Sequence, residues 1–147
     1  MSGRTIAVDF GERRIGVALS DPSSTIASPF TTLPRRRGKR PPIAELIRIM
    51  DEQDVTRIVV GLPLTLAGGD SEWTTEVRAF AATLEERSGR PVTLVDERFS
   101  SVMAERAVRG SGLRKSERED KSRIDAAAAA IILQSFLNSS AQPSDTD

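Results

Sequence analysis

"IAVDFGERRIGVALS", residues 6–20, is the stretch on which the fold turns. Ile6, Ala7 and Val8 form an apolar run that stops at a carboxylate, Asp9. Phe10, Gly11 and the charged Glu12, Arg13 and Arg14 follow, and a second apolar run starts at Ile15. Two short β-prone runs joined by a glycine-containing turn read as a hairpin. An acid at the end of a core strand is costly to bury and needs a reason. One reason is local, because Asp before a glycine forms turns readily. The other is chemical, because open α/β sheets gather their ligands at the carboxyl ends of strands.

Working outward, residues 26–33 read as a third strand, with Pro29 tolerated at a sheet edge. Pro41 and Pro42 suit a helix start, and Ile43, Leu46, Ile47 and Met50 then fall on one helical stripe. Residues 56–61, TRIVVG, are a short apolar strand of the kind buried on both faces. Asp70 or Ser71 caps a helix whose stripe is Trp73, Val77, Phe80, Ala81 and Leu84. That position predicts a core residue at Trp73 rather than a base-stacking platform. Residues 91–95, PVTLV, form another short buried strand and lead into Asp96, Glu97 and Arg98. Ser100 or Ser101 then caps a helix to about residue 109, residues 110–120 form a loop, and a last helix spans about 123–137. The order β-β-β-α-β-α-β-α-α predicts an α/β fold, a mixed central sheet with helices on its faces. Residues 1–138 are expected to be one domain and residues 139–147 a disordered polar tail.

The 147 residues suit a single core. The chain has no cysteine, no histidine and no tyrosine. Disulfides, thiolate zinc sites and cysteine nucleophiles are thereby excluded. Without histidine, proton transfer at neutral pH falls to a shifted carboxylate, a lysine, or water activated by a metal. No apolar run is long enough to span a bilayer, and the amino terminus enters a strand pattern without a secretory signal, so a cytoplasmic location and no membrane partner are expected. The net charge is zero but unevenly spread. Residues 1–40 hold eight Arg/Lys and three Asp/Glu, and five of the six residues Arg35, Arg36, Arg37, Gly38, Lys39 and Arg40 are basic. Residues 98–123 hold eight basic and four acidic side chains. Basic surface beside acidic clusters fits a polyanion binder that also holds cations, although solvated loops would look the same.

Three acids can converge. Asp9 ends the first strand and Glu97 follows the PVTLV strand. If those strands are neighbours, both carboxylates reach one crevice. Glu97 could instead be a surface ion-pair partner of Arg98. Asp125 precedes Ala128, Ala129, Ile132 and Phe136 by helical spacings, so it shares their apolar face. Ser122 to Asp125 also approximates a capping box, which would give Asp125 a purely local role. Five consecutive alanines let that helix lie close to the sheet. Gathering three carboxylates requires cations, and oxygen-only ligation suits one or two Mg²⁺ or Mn²⁺ ions. Two such ions can activate a water and stabilise a leaving oxygen of a phosphodiester. Asp9 would then anchor metal, Gly11 would let a phosphate approach the backbone, and Arg13 and Arg14 would face the polyanion.

Four segments, VDFGERRIGVALSD (8–21), VVGLPLTLAGG (59–69), VDERFSS (95–101) and DAAAAAIILQSFL (125–137), together resemble the YqgF family, also called RuvX. The resemblance implies a ribonuclease H-like fold related to the RuvC Holliday-junction resolvase, with the first three strands an antiparallel meander and helices on both faces. It implies a nuclease acting in pre-16S rRNA 5′-end maturation and ribosome biogenesis, or in junction resolution during DNA recombination and repair. The family's three acids map onto Asp9, Glu97 and Asp125, its hairpin basic position onto Arg14, and its DER motif onto Asp96, Glu97 and Arg98. The chain departs from the pattern at Thr65, at Ser100 and Ser101, and in having no fourth acid after Asp125 on the last helix.

The expected function is therefore Mg²⁺- or Mn²⁺-dependent hydrolysis of phosphodiester bonds in structured nucleic acid, by a monomer or homodimer. The substrate would be pre-16S rRNA, free or in a pre-ribosomal particle, with branched DNA as the alternative. Arg35, Arg36, Arg37, Lys39, Arg40 and Arg98 join Gly11, Arg13 and Arg14 as the expected substrate-binding set. A non-catalytic RNA-binding assembly factor would need the basic loop but not the three acids. The first hairpin also resembles the phosphate loop of actin-like sugar and acetate kinases, but those need a second such domain and a second phosphate motif.

Overall fold

The computed structural model describes residues 3–35, 40–64, 69, 71–97 and 118–140. The opening hairpin forms as its pattern predicts, with β1 (Arg4–Phe10) antiparallel to β2 (Arg14–Ser20). β3 (Ala27–Pro34) pairs antiparallel with β2, completing the meander. α1 (Ile43–Glu52), β4 (Val55–Leu62), α2 (Glu72–Ser88) and β5 (Val92–Asp96) follow. The last described element is a long helix, α3 (Arg118–Ser140). The sheet order is β3-β2-β1-β4-β5, with β4 parallel to both β1 and β5.

Strand alternation divides the core into two unlike layers. Ile6, Val8 and Phe10 of β1, Ile15, Val17 and Leu19 of β2, and Ile58, Val60 and Leu62 of β4 face α1 and α2. There they meet Leu46, Met50, Val77, Phe80 and Leu84. Each such side chain contributes about 1.5–3 kcal/mol on burial. The opposite face is built from small residues, Ala7, Ala18 and Val59, packed against Ala128, Ala129, Ile132 and Leu133 of α3. The alanine run allows the close approach.

Both ends of α2 carry their signals. Ser71 is the cap and forms a reciprocal capping box with Thr74, and Gly89 closes the helix at φ 69°. β3 lies at one edge of the sheet, where Pro29 is tolerated, and the pairing skips Phe30 in a bulge opposite Val17 and Ala18. β5 forms the other edge, so its residues are half-buried or exposed, not buried as the PVTLV run predicts. The last helix starts earlier than the sequence pattern predicts and runs on to Ser140. The helix expected after Ser100 or Ser101 lies outside the described residues, as do residues 141–147 of the expected tail. Among the described residues, no helix is long and apolar enough to cross a membrane.

Candidate active site

Asp9 belongs to the small-residue face of β1, alternating with Ala7 and opposite in sense to Val8 and Phe10. It is 5% exposed. Both strands beside it carry a glycine at that level. On β2 its partner is Gly16. On β4, Val8 pairs with Val60, which brings Gly61 alongside Asp9.

Each glycine leaves a gap that another part of the chain fills. A Cβ on Gly16 would stand 2.0 Å from the Asp125 carbonyl oxygen, so α3 presses its backbone onto β2 at that point. A Cβ on Gly61 would stand 3.0 Å from Glu97 Oε2 and 2.6 Å from Ile132 Cδ1. Glu97, just past β5 and 2% exposed, therefore lays its carboxylate over β4 beside Asp9. The two glycines let acids from three separate elements line one cleft.

Asp9, Glu97 and Asp125 line a single cleft of about 340 Å³ at the carboxyl ends of the parallel strands, together with Phe10, Gly11, Glu12, Arg13, Arg14, Pro63 and Trp73. Asp125 lies well inside α3, which rules out the capping-box alternative for it. Its Oδ2 accepts a 2.6 Å bond from Arg14 Nε. Arg14 thus neutralises Asp125 across the mouth of the cleft rather than standing free for a polyanion. Among the described residues, no three acidic side chains stand close enough together to form a ready-made metal cage. The donor chemistry nonetheless fits a hard cation. It consists of carboxylate oxygens alone, two of them on nearly inaccessible residues, in a chain without histidine or cysteine.

The rest of the expected binding set is dispersed. Gly11 sits in the hairpin turn, where its N–H donates to the Arg14 carbonyl at 3.0 Å and a Cβ would come within 2.4 Å of that oxygen. Arg13 is exposed at the cleft, and Arg40 is exposed outside it. Arg36, Arg37, Lys39 and Arg98 lie outside the described residues. Arg35 is turned inward. Its backbone N–H donates to the Arg13 carbonyl at 2.8 Å, and its Nη1 donates to the Gly11 carbonyl at 3.1 Å. Its guanidinium lies 4.2 Å from the Phe10 ring centroid and 3.6 Å from Glu76. Arg35 therefore braces the hairpin turn from behind.

The sequence profile of the RuvX family, described as Holliday junction resolvase, matches residues 3–139. The chain belongs to the RuvX family. A Koribacter versatilis RuvX relative, bearing the name of a candidate pre-16S rRNA nuclease, is 44% identical over 135 residues, or 92% of this chain and 86% of the relative. Two solved structures share the fold at low identity. RuvC of T. thermophilus in complex with Holliday junction substrate superposes with a TM-score of 0.56 at 13% identity, covering 94% of this chain and 95% of that one. The Fowlpox virus resolvase in complex with Holliday junction DNA gives 0.57 at 11% identity, covering 97% and 100%. The mixed sheet is therefore the ribonuclease H-like fold of the RuvC resolvases. As a RuvX member, the protein is a nuclease, a hydrolase of phosphodiester bonds.

Two residues that shape this RuvX cleft, Gly16 and Gly61, stand outside the expected site residues. Gly16 and Gly61 had a signal, since an isolated glycine inside a strand marks a close backbone approach. Arg35 belongs to the expected substrate-binding set but packs against Gly11 and Phe10, and nothing in a basic run tells which arginine turns inward.

Proposed function

We propose that the protein is a divalent-metal-dependent endonuclease that trims the 5′ end of pre-16S rRNA. The observation that carries this reading is the pair of nearly inaccessible carboxylates, Asp9 and Glu97, sharing a polar cleft with Asp125. Carboxylate oxygens gathered at a strand end are the donor type that hard divalent cations take, and this chain offers no histidine to do acid–base work instead. Asp9, Glu97 and Asp125 would hold Mg²⁺ or Mn²⁺, whose chemistry there would be to ease deprotonation of water and to offset charge on the phosphodiester. Arg13, exposed at the mouth, would attract the phosphate backbone. Arg14 would trade between Asp125 and the incoming phosphate, so that substrate and the third carboxylate compete for one guanidinium. Gly11 would keep the turn narrow at the point of approach.

The relatives' names favour precursor rRNA over branched DNA, and the fold neighbours favour the converse. We give precedence to the relatives, because they share 41–44% of their aligned residues with this chain where the two resolvases share 13% or less. The test is cleavage of a pre-16S 5′ fragment and of a four-way DNA junction, with and without Mg²⁺ or Mn²⁺, by the wild type and Asp9→Asn. Metal-dependent cutting of the RNA, lost in Asp9→Asn with binding retained, is expected. Cutting of the junction alone would shift the substrate to DNA. Binding without cutting by either protein would leave an RNA-binding factor.

A further inference from the structure

Trp73 sits where the catalytic reading gives it nothing to do. It is the only tryptophan of the chain and the first residue of the α2 stripe. The rest of that stripe, Val77, Phe80, Ala81 and Leu84, is buried, whereas Trp73 is only half-buried and lines the cleft that holds Asp9, Glu97 and Asp125. Its ring lies parallel to Phe10, with centroids 5.4 Å apart and planes 5° apart. Phe10 in turn stacks on Phe80 at 4.1 Å, and the Arg35 guanidinium lies 5.8 Å from the Trp73 centroid. The Ser71–Thr74 capping box fixes the helix turn that carries it. A large indole is thus held rigid at the wall of a cleft that also carries carboxylates and arginines, with part of its surface left to solvent.

We infer that Trp73 forms a nucleobase subsite, on which the base next to the scissile phosphate stacks. The assignment rests on the nuclease reading and narrows its substrate. Aromatic rings bind bases of any sequence through their faces, and only bases that are unpaired or have left their stack. A pre-ordered ring adds little entropic cost to that contact. The cleft therefore selects unpaired nucleotides at the cut and reads no particular base.

The single tryptophan makes the subsite directly visible. Asp9→Asn protein, which keeps the wall but should not cut, is titrated with a short unpaired oligoribonucleotide and with the same strand annealed to its complement. Trp73 fluorescence should be quenched by the single strand and much less by the duplex. In the cleavage assay, Trp73→Leu should raise KM about tenfold or more, the range expected for loss of one base stack, while Trp73→Phe recovers to within about threefold. An abasic nucleotide beside the mapped cut should cost wild type the same factor and Trp73→Leu almost nothing. Unchanged fluorescence, or an abasic penalty equal in wild type and Trp73→Leu, overturns the subsite even if the enzyme cuts. Quenching by single strands without any cutting retains the subsite and rejects the nuclease reading. Neither quenching nor cutting rejects both.

Discussion

At Asp21, just past β2, one half-buried residue organises through its carboxylate the loop that leads into β3. Its Oδ1 accepts the backbone N–H groups of Thr25 at 2.7 Å and Ile26 at 2.9 Å, and its Oδ2 accepts the Ser23 hydroxyl. These bonds, led by that from Ile26, hold the Asp21 carboxyl well below the usual carboxylate range. Ser24 adopts a left-handed φ of 56° inside the same loop. Protonation is therefore easier in the unfolded chain than in the folded one, and the carboxylate adds stability at every pH above the unfolded value of about 3.9. That contribution is lost as pH falls through the depressed folded value. Asp21→Asn keeps an acceptor but no charge. Its melting temperature should lie below wild type at neutral pH, and the gap should close as the pH drops below about 4. Melts over that range check it, and a gap that stays constant would mean that the charge does not order the loop.

The elements meet at the two glycines beside Asp9, and the sequence disclosed this only in part. Periodicity located the hairpin, both packed helical stripes and the parallel strand β4, because each is strongly patterned. It also put acids at the ends of β1 and β5 and on the inner face of α3, where the cleft now unites them. What it could not disclose is what crosses above a strand. Gly16 lies under the α3 backbone and Gly61 under the Glu97 side chain, and neither neighbour is near in sequence. The edge position of β5 was hidden for the same reason, since a short apolar run reads alike at an edge or in the middle. The two glycines should fail differently on substitution. Gly16→Ala would drive a methyl against a helix carbonyl 2.0 Å away, so α3 must shift. Overpacking costs roughly 1–3 kcal/mol, and a domain of this size loses about 2–4 °C per kcal/mol. Gly61→Ala meets only side-chain ends, which can yield, but one of them is Glu97. Its melting temperature should stay within about 3 °C of wild type while kcat falls roughly 10- to 100-fold, the usual cost of misplacing a reacting group by about 1 Å. Thermal melts beside steady-state cleavage distinguish the two, and equal losses of stability would remove Gly61's special relation to Glu97.

Across the whole molecule the charges sum to zero, yet residues 1–40 carry +5 and the remainder −5. A neutral protein has no general attraction for a polyanion, so binding must come from local basic surface. Arg35 is withdrawn behind the hairpin, which leaves Arg36, Arg37, Lys39 and Arg40 as the charges of that run able to serve it. Each phosphate contact to a single strand contributes about 0.7 to the slope of log affinity against log salt concentration. Neutralising all four should flatten that slope by about 3, weaken binding most at low salt, and leave the melting temperature unchanged. Arg35→Gln should do the reverse: it removes the brace on Gly11 and Phe10, lowers the melting temperature, and leaves the salt slope intact. Titrations of Asp9→Asn protein with an unpaired oligoribonucleotide at several salt concentrations give both slopes without cleavage. A slope unmoved by neutralising all four would place the phosphate track elsewhere on the surface, with Arg13 and Arg14 at the cleft as the described members of the expected set that remain.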